Sequence, residues 1–361
     1  MKRSFALILV MISIIFLLSG CREQNIINGT PSSEPSADLS NLTAESAEDQ
    51  TENQGVSIDE VIINISNPSN NGEGTEENGS ANITDVITDE ETQDMTGYWG
   101  KLTVSFIDVG FGDSIFVFTP RNGTMMIDGG DDSSGSIITK YIRNYGIYNG
   151  MDTMIATNPK LEHIGGLDSI LFNMVQVSEV YDNGVGSDSQ SYNQFKEMAN
   201  NKGMFIVPEE DVFVKVGNEE AVKVRLITPY KDGYLDGTED NSIVVKMEYG
   251  DVSFLFMSDC TTECEKKLEG YDLKADILKV GNFGMNSTSD DFLDNVDPEV
   301  AIISVDADNP QYPDNELVQR LEGRGIQVLR TDLYGTITVG SDGKTYAITK
   351  EREPDNSSIE G

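Results

Sequence analysis

Short β runs interleaved with helical stretches fill residues 99–350, and this pattern constrains the fold more than any other feature of the chain. The predicted β runs are 102–108, 114–118, 124–127, 154–157, 204–207, 212–216, 222–227, 242–249, 252–257, 276–280, 299–304, 326–330, 335–340 and 344–348. The predicted helices are 136–145, 164–172, 190–201, 262–268 and 315–324. Because the β runs fall into two blocks, each with its own helices, they predict an α/β domain built as a four-layer αββα sandwich. Residues 351–361 form a polar C-terminal tail.

The first twenty residues have the pattern of a secretory signal peptide. Lys2 and Arg3 precede an apolar run, Phe5–Leu18, that is shorter than the roughly 20 residues a membrane-spanning helix needs. The next residues, Leu18-Ser19-Gly20-Cys21, resemble the lipobox of bacterial lipoproteins. That resemblance implies that Cys21 becomes the mature N-terminus and carries lipid, which would be the only membrane anchor. The alternative is an ordinary signal peptide followed by a chance cysteine.

Residues 21–98 are predicted to be a disordered acidic linker. The stretch 22–98 contains 17 acidic residues and one basic residue, Arg22, and it is otherwise rich in Ser, Thr, Asn, Gly and Pro. Such a segment buries too little apolar surface to offset the entropy of ordering it. Small apolar islands lie in it at 61–63 and 86–87. As a flexible coil it would have a root-mean-square span of roughly 50 Å, enough to lift a domain off a membrane.

Charge and composition argue against several classes of protein. The chain has 25 basic and 62 acidic residues and a net charge of −37, of which −23 falls on residues 99–361. A nucleic-acid-binding surface is normally cationic, so nucleic acid is not an expected partner. One histidine cannot build a histidine-rich zinc site, and three cysteines in 361 residues cannot form a disulfide scaffold.

Several motifs, in order along the chain, resemble one known family. They are Val104–Ile115, Met126–Gly130, Asn241–Val244, Phe254–Asp259, Leu278–Gly281, Ala301–Val305 and Arg330–Ile337. They cover residues 102–348 and resemble the metallo-β-lactamase fold, most closely the extracellular hydrolase-like domain of the bacterial competence DNA-uptake channel (ComEC-type) family. The resemblance implies the same αββα sandwich and descent from a metal-dependent hydrolase.

The family's main metal-binding motif is altered in this chain. In active relatives the strand ending near residue 157 leads into Ser/Thr-His-x-His-x-Asp-His-x-Gly-Gly, whose side chains hold two metal ions that activate water. This chain reads Thr157-Asn158-Pro159-Lys160-Leu161-Glu162-His163-Ile164-Gly165-Gly166. By the resemblance, Asn158 and Lys160 replace two histidines, Glu162 replaces the aspartate, and His163 is retained.

The remaining ligand positions are also mostly replaced. Asp259 matches the family's metal-bridging aspartate, whereas Asn282 and Phe283 stand where the family has two histidines. A late histidine of the family corresponds to the segment Tyr312-Pro313-Asp314. The candidate remnants of a metal site are therefore Glu162, His163, Asp259 and Asp314.

Lys160 is the change with the clearest physical consequence. An ammonium group in the cleft repels a metal cation and can neutralise carboxylates left without one. We expect a cluster in which Lys160 pairs with Glu162 and Asp259 in place of the metal centre. The alternative is that Lys160 points to solvent and the site is simply eroded.

We expect structural roles for the single histidine and for the cysteine pair. His163 precedes Gly165 and Gly166 at a predicted helix start, so a packed and hydrogen-bonded imidazole is favoured over a catalyst. Cys260 and Cys264 lie four residues apart at the start of a predicted helix. Packed thiols are favoured there, and a redox pair is the alternative.

Three functions are compatible with these features. The favoured one is a lipid-anchored protein of the extracytoplasmic membrane face whose domain has lost its metals and enzymatic activity, and binds or regulates an extracellular ligand or protein without a cofactor. The second is a metal-dependent hydrolase whose altered site holds one Zn, Mn, Mg or Ca ion and acts on an extracellular substrate such as a phosphodiester. The third, a nuclease for extracellular DNA, needs both metals and a basic track, and Lys266-Lys267 is too small for one.

Overall fold

The computed structural model describes residues 60–61, 100–174, 176–230 and 233–354, which all belong to the larger of two compact units, Gly55–Gly361. The predicted signal peptide, Cys21, the linker apart from residues 60–61, and residues 355–361 of the polar tail lie outside the described residues. No helix in the described ranges has the length and apolar character needed to cross a bilayer.

The described strands and helices follow the predicted order closely. The strands are β1 Glu60–Val61, β2 Leu102–Phe106, β3 Ile115–Phe118, β4 Thr124–Ile127, β5 Gly150–Ala156, β6 Gln176–Asp182, β7 Met204–Ile206, β8 Val212–Val216, β9 Glu219–Ile227, β10 Val244–Tyr249, β11 Val252–Phe256, β12 Ile277–Lys279, β13 Val300–Ile303, β14 Gln327–Arg330, β15 Ile337–Ser341 and β16 Tyr346–Lys350. The helices are α1 Gly135–Arg143, α2 Leu161–Ile164, α3 Leu167–Asn173, α4 Gln190–Lys202, α5 Thr262–Lys267, α6 Asp290–Val296, α7 Asn315–Gly323 and α8 Thr331–Tyr334. Short 3₁₀ turns cover Glu239–Asn241 and Gly281–Gly284.

Two mixed sheets form the centre of the domain. The first has the strand order β1-β16-β15-β2-β3-β4-β5-β6-β7, and the second has the order β14-β13-β12-β11-β10-β9-β8. Strands β4 to β7 run parallel in the first sheet, and β11 to β14 run parallel in the second. The remaining neighbours are antiparallel hairpins and pairs.

Three apolar cores separate four layers. The central core joins the inner faces of the two sheets, where Phe106, Phe254 and Phe256 are completely or almost completely buried. A second core lies between the first sheet and α1–α4, and a third lies between the second sheet and α5–α7. The layer order is therefore helices, sheet, sheet, helices, and the predicted αββα sandwich is confirmed.

The structure adds elements that the pattern did not predict. The strand β6 (QVSEVYD) carries polar residues on its exposed positions, so its sequence resembles that of a loop, although Val177 and Val180 are fully buried. The helix α6 is only seven residues long and begins after the N-cap Ser289, whose side chain accepts a hydrogen bond from Phe292 N. In the linker, Glu60 and Val61 pair antiparallel with Thr349 and Ile348 at the edge of the first sheet.

Candidate functional site

The candidate site lies where neighbouring strands of both sheets end. Asp128 directly follows β4, the segment 157–163 follows β5, and Asp259 lies three residues beyond the end of β11. Lys279 is the last residue of β12, which pairs with β11. Parallel strands present their carboxyl ends at one edge, which is the usual place for ligand-binding residues in α/β folds. The motifs that resemble the family's metal site are thus brought together.

His163 is fully buried between two carboxylates. Its Nδ1 lies 2.8 Å from Asp128 Oδ2, and its Nε2 lies 3.0 Å from Asp259 Oδ1. The first contact is a hydrogen bond, whereas the second is an ion pair whose angle does not suit a hydrogen bond. Burial alone would lower the pKa of His163, but the charges of Asp259 and Asp128 outweigh it and raise that pKa well above 6.5. The ring is therefore an imidazolium at neutral pH.

Asp128 is fixed from its other side by the end of β5. Its backbone is left-handed, with φ of 57°, which turns the carboxylate back towards the sheet. Thr157 N donates to Oδ1 at 2.8 Å, and Thr157 Oγ1 donates to Oδ2 at 2.7 Å. Burial raises the pKa of Asp128, and the charge of His163 works against that rise. The carboxylate therefore holds the imidazole in one orientation.

Lys160 neutralises the second carboxylate of this cluster. Its Nζ lies 3.1 Å from Asp259 Oδ2 and 2.5 Å from Glu239 Oε1. Burial raises the pKa of Asp259, but His163 and Lys160 outweigh it and lower that pKa to about 2. The predicted contact between Lys160 and Asp259 is present. The other carboxylate partner of Lys160 is Glu239, and the prediction that Glu162 would pair with Lys160 was wrong.

A second buried ion pair, which the sequence analysis did not single out, lies beside His163. Lys279 is completely buried, and its Nζ lies 2.7 Å from Asp113 Oδ1 and 2.9 Å from Oδ2. It also donates to the carbonyl of Val280 at 3.1 Å, and it lies 5.8 Å from the ring centre of Phe283. The sequence did carry a signal, because a lysine inside the apolar run 277–280 must find a buried partner.

Asn158 takes part in a buried network of hydroxyl groups. Its Nδ2 donates to Ser242 Oγ at 3.1 Å and to Ser258 Oγ at 3.4 Å, and its Oδ1 accepts from Lys160 N at 3.0 Å. Ser258 Oγ also lies 2.5 Å from Thr157 Oγ1. Asn158 thus satisfies neighbouring polar groups and fixes the start of the segment that carries Lys160 and His163.

Of the two other altered positions, Asn282 and Phe283, the second places an aromatic ring over the site. Asn282 and Phe283 both have left-handed backbones, and Asn282 Nδ2 donates to the carbonyl of Met285 at 2.8 Å. The ring centre of Phe283 lies 5.7 Å from that of His163, 4.7 Å from that of Phe111 and 5.9 Å from that of Tyr312. An apolar ring therefore stands where the resemblance implies imidazole ligands, and it shields the buried charges from water.

We call the seven paired side chains of the site the buried cluster: Asp113, Asp128, Lys160, His163, Glu239, Asp259 and Lys279. Two of the four predicted metal-site remnants lie outside it. Glu162 contributes its carbonyl, which accepts from Asp113 N at 3.0 Å, while its half-buried carboxylate forms no hydrogen bond or ion pair with the described residues. Asp314 caps α7, where its Oδ1 accepts from Glu316 N at 2.9 Å. His163 and Asp259 are the two remnants that the structure brings together.

Two curated proteins are similar in sequence to this chain. ComE operon protein 3 of Bacillus subtilis (strain 168) is 27% identical over 270 residues, which cover 65% of this chain and 32% of that protein. Competence protein ComA of Neisseria gonorrhoeae is 35% identical over 109 residues, which cover 28% of this chain and 16% of that protein. The chain resembles bacterial competence proteins. Its matched part spans about a third of the first relative's length and a sixth of the second's.

The predicted resemblance to the bacterial competence (ComEC-type) family is thereby confirmed. No family model matches the chain. Among solved structures, the metallo-beta-lactamase fold protein YhfI from Bacillus subtilis aligns with a TM-score of 0.44 and 9% identity, covering 67% of this chain and 100% of that one. A diphosphatase from the PhnP family aligns with a TM-score of 0.38 and 16% identity, covering 63% of this chain and 94% of that one.

The chemistry of the donor set determines whether a metal ion fits this site. Among the described residues, Asp113, Asp128 and His163 could bring one ligand atom each to within 4.8 Å of one another. As arranged, Lys279 Nζ contacts both oxygens of Asp113, and both ring nitrogens of His163 face carboxylate oxygens. Asp259 faces His163 on one oxygen and Lys160 on the other. This arrangement does not fit a divalent cation, because its donor atoms already face cations of the protein.

The expectation of free thiols at the cysteine pair was wrong. Cys260 and Cys264 form a disulfide, with their Cα atoms 5.3 Å apart. The helix α5 begins only at Thr262, and its N-cap Thr261 has an extended backbone, so Cys260 precedes the helix. The turn brings it within the Cα separation that a disulfide requires. Both cysteines are fully buried, and Cys260 directly follows Asp259.

Proposed function

We propose that this chain is a bacterial surface lipoprotein whose metallo-β-lactamase-like domain has lost its dinuclear metal centre and acts as a binding or regulatory module. It would be anchored by lipid at Cys21 on the extracytoplasmic face of the membrane. The observation that carries the proposal is the position of protein cations at the carboxylates: Lys160 Nζ lies 3.1 Å from Asp259, Lys279 Nζ lies 2.7 Å from Asp113, and the ring of His163 lies between Asp128 and Asp259. Before His163 could bind a metal ion, a ring nitrogen would have to leave its carboxylate partner and be free of a proton.

The charges of the buried cluster support the absence of a metal. Three cationic side chains, Lys160, His163 and Lys279, face four carboxylates, those of Asp113, Asp128, Glu239 and Asp259. The side chains of Lys160 and Glu239 are 26% and 35% exposed, and the other five are buried. Each of the four carboxylates thus faces a cation of the protein. Unpaired carboxylates in such a dry site would be strongly destabilising, so the pairs also stabilise the fold without metal.

The partner of such a module is expected to be an extracellular ligand or protein. The name of one relative mentions competence, but a nucleic-acid surface is not expected on a domain whose net charge is −23 over residues 99–361. We propose that no cofactor is required.

A second candidate is a hydrolase with a mononuclear site. The close approach of ligand atoms from Asp113, Asp128 and His163 is the observation that favours it. For this function Lys279 would have to leave Asp113, and His163 would have to lose its proton. One divalent cation could then bind and activate water.

The deciding measurement is metal content. The full chain is incubated with Zn²⁺, Mn²⁺ or Ca²⁺, desalted and analysed by mass spectrometry. We expect far less than one equivalent of each metal, because every candidate donor already faces a protein cation. One tightly held ion that disappears in Asp128→Ala or in Asp259→Ala would contradict the proposal and favour the hydrolase.

A double variant provides the positive control. Asn158→His/Lys160→His restores the His-x-His spacing of the family motif and removes the ammonium beside Asp259. We expect this variant to retain zinc after desalting. If it does and the unaltered chain does not, the loss is due to these two replacements and not to a poorly folded preparation.

A further inference from the structure

The end of the first sheet opposite the candidate site carries exposed apolar side chains. Because β4 to β7 run parallel, the residues that precede them share the amino-end edge of the sheet. Tyr148 precedes β5, Phe172 precedes β6, and Met204 begins β7. These side chains are 58%, 76% and 60% exposed. Exposed large apolar groups gathered at one end typically mark an interaction surface.

The same end has an unusual charge pattern. The segments 119–123, 139–151, 170–178 and 198–206 contain no Asp or Glu, in a chain that has 62. They contain four basic residues, Arg121, Lys140, Arg143 and Lys202. We call the described residues of these four segments the acid-free end. Three carboxylates border it directly in sequence, those of Asp152, Glu179 and Glu197. Asp152 accepts hydrogen bonds from the backbone N and the hydroxyl of Thr124, and Glu179 accepts one from the hydroxyl of Tyr181 at 2.9 Å.

Helix electrostatics explain only part of this pattern. Lys140, Arg143 and Lys202 lie in the last turns of α1 and α4, where cations are favoured by the helix dipole. Lys202 Nζ also donates to the carbonyl of Met174 at 3.0 Å. The dipole accounts neither for the lack of carboxylates in the adjoining loops nor for the exposure of Phe172 and Tyr148.

We propose that the acid-free end binds the surface of an anionic lipid bilayer. Aromatic and methionine side chains can enter the boundary between headgroups and acyl chains, while lysine and arginine contact the phosphates. The rest of the domain is strongly acidic and is repelled by such a surface, so charge selects this end alone. The candidate site, at the opposite ends of the same strands, would then face away from the membrane.

This inference builds on the proposed membrane anchoring but is tested without it. The test protein is the chain from residue 21 onward with Cys21→Ser, which lacks the apolar segment Phe5–Leu18 and any lipid but keeps every described residue. It is mixed with vesicles of equimolar phosphatidylglycerol and phosphatidylcholine and floated through a density gradient. We expect it to float with these vesicles and less with phosphatidylcholine alone, and added salt should weaken the association.

A matched pair of variants decides whether the acid-free end is responsible. Tyr148→Ser/Phe172→Ser should reduce vesicle binding roughly tenfold or more, given the apolar area removed. Phe213→Ser/Tyr234→Ser removes a similar pair, 71% and 57% exposed, outside the four segments and should leave binding unchanged. Circular dichroism checks that both variants fold.

Three outcomes would overturn the proposal. They are no flotation of the test protein, equal loss in both double variants, or a self-association in sedimentation that only Tyr148→Ser/Phe172→Ser abolishes. Membrane fractionation of the lipidated chain against Cys21→Ser tests the anchor separately. A failure of anchoring is therefore distinguishable from a failure of the surface.

Discussion

His163 shows how a single side chain determines the chemistry of the site. It is the only histidine of the chain, it is completely buried, and both ring nitrogens face carboxylate oxygens. The sequence analysis favoured a packed, hydrogen-bonded role, and the observed contact with Asp128 is of that kind. Because the charges of Asp259 and Asp128 outweigh burial, the folded state holds the proton that a free imidazole would lose near pH 6.5.

This proton predicts a specific pH dependence. The stabilisation by the imidazolium is complete below pH 6.5 and is lost as pH rises towards the elevated pKa of the folded state, by up to about 1.4 kcal/mol per pH unit. In chain labelled with ¹³C at histidine Cε1, we expect a single imidazolium resonance that does not titrate between about pH 5.5 and 8. The urea-unfolded chain is the control and should titrate near 6.5. Titration near that value in the folded chain would contradict the ion-pair arrangement.

At the scale of elements, the sequence predicted strands and helices better than the contacts between loops. The order of the β runs predicted the four layers of the sandwich. The spacing of the motifs predicted that Lys160, His163 and Asp259 lie together at the ends of the strands. Glu239 could not be assigned as the partner of Lys160, because a contact across 79 residues depends on how the loop before β10 folds back. The disulfide was missed because the spacing suggested two cysteines on one helix, whereas Cys260 precedes α5.

The disulfide should stabilise the turn that presents Asp259. It closes a loop with a sequence separation of only 4 residues, so the entropy removed from the unfolded chain corresponds to about 2 kcal/mol. In equilibrium urea unfolding, Cys260→Ala/Cys264→Ala should be less stable by about that amount, plus a packing loss at two buried positions. Reductant should lower the unfolding midpoint of the unaltered chain and leave that of the variant unchanged. A midpoint insensitive to reductant in both proteins would rule out a stabilising disulfide.

At the scale of the whole molecule, the balance of charges opposes compactness. Residues 99–361 carry a net charge of −23, and exposed ion pairs such as Lys274–Asp297 compensate few of the surface carboxylates. The positive groups are unevenly placed, since several lie in the buried cluster and others at the acid-free end. Two salt effects therefore compete, because ions weaken exposed pairs and also screen the repulsion among unpaired carboxylates.

Because the chain has 62 acidic and only 25 basic residues, screening of the repulsion between carboxylates should outweigh the weakening of ion pairs. Raising ionic strength from about 0.01 M to about 0.15 M shortens the screening length from roughly 30 to 8 Å, so repulsion between distant carboxylates is largely removed. We expect NaCl to raise Tm, by roughly 2–4 °C for each kcal/mol of repulsion relieved. The rise should shrink near pH 4, where carboxylates become neutral.

CaCl₂ at equal ionic strength separates screening from binding, because a non-specific effect gives nearly the same Tm as NaCl. A markedly higher Tm in CaCl₂, lost in Asp259→Ala, would instead reveal a cation site in the buried cluster and favour the mononuclear hydrolase.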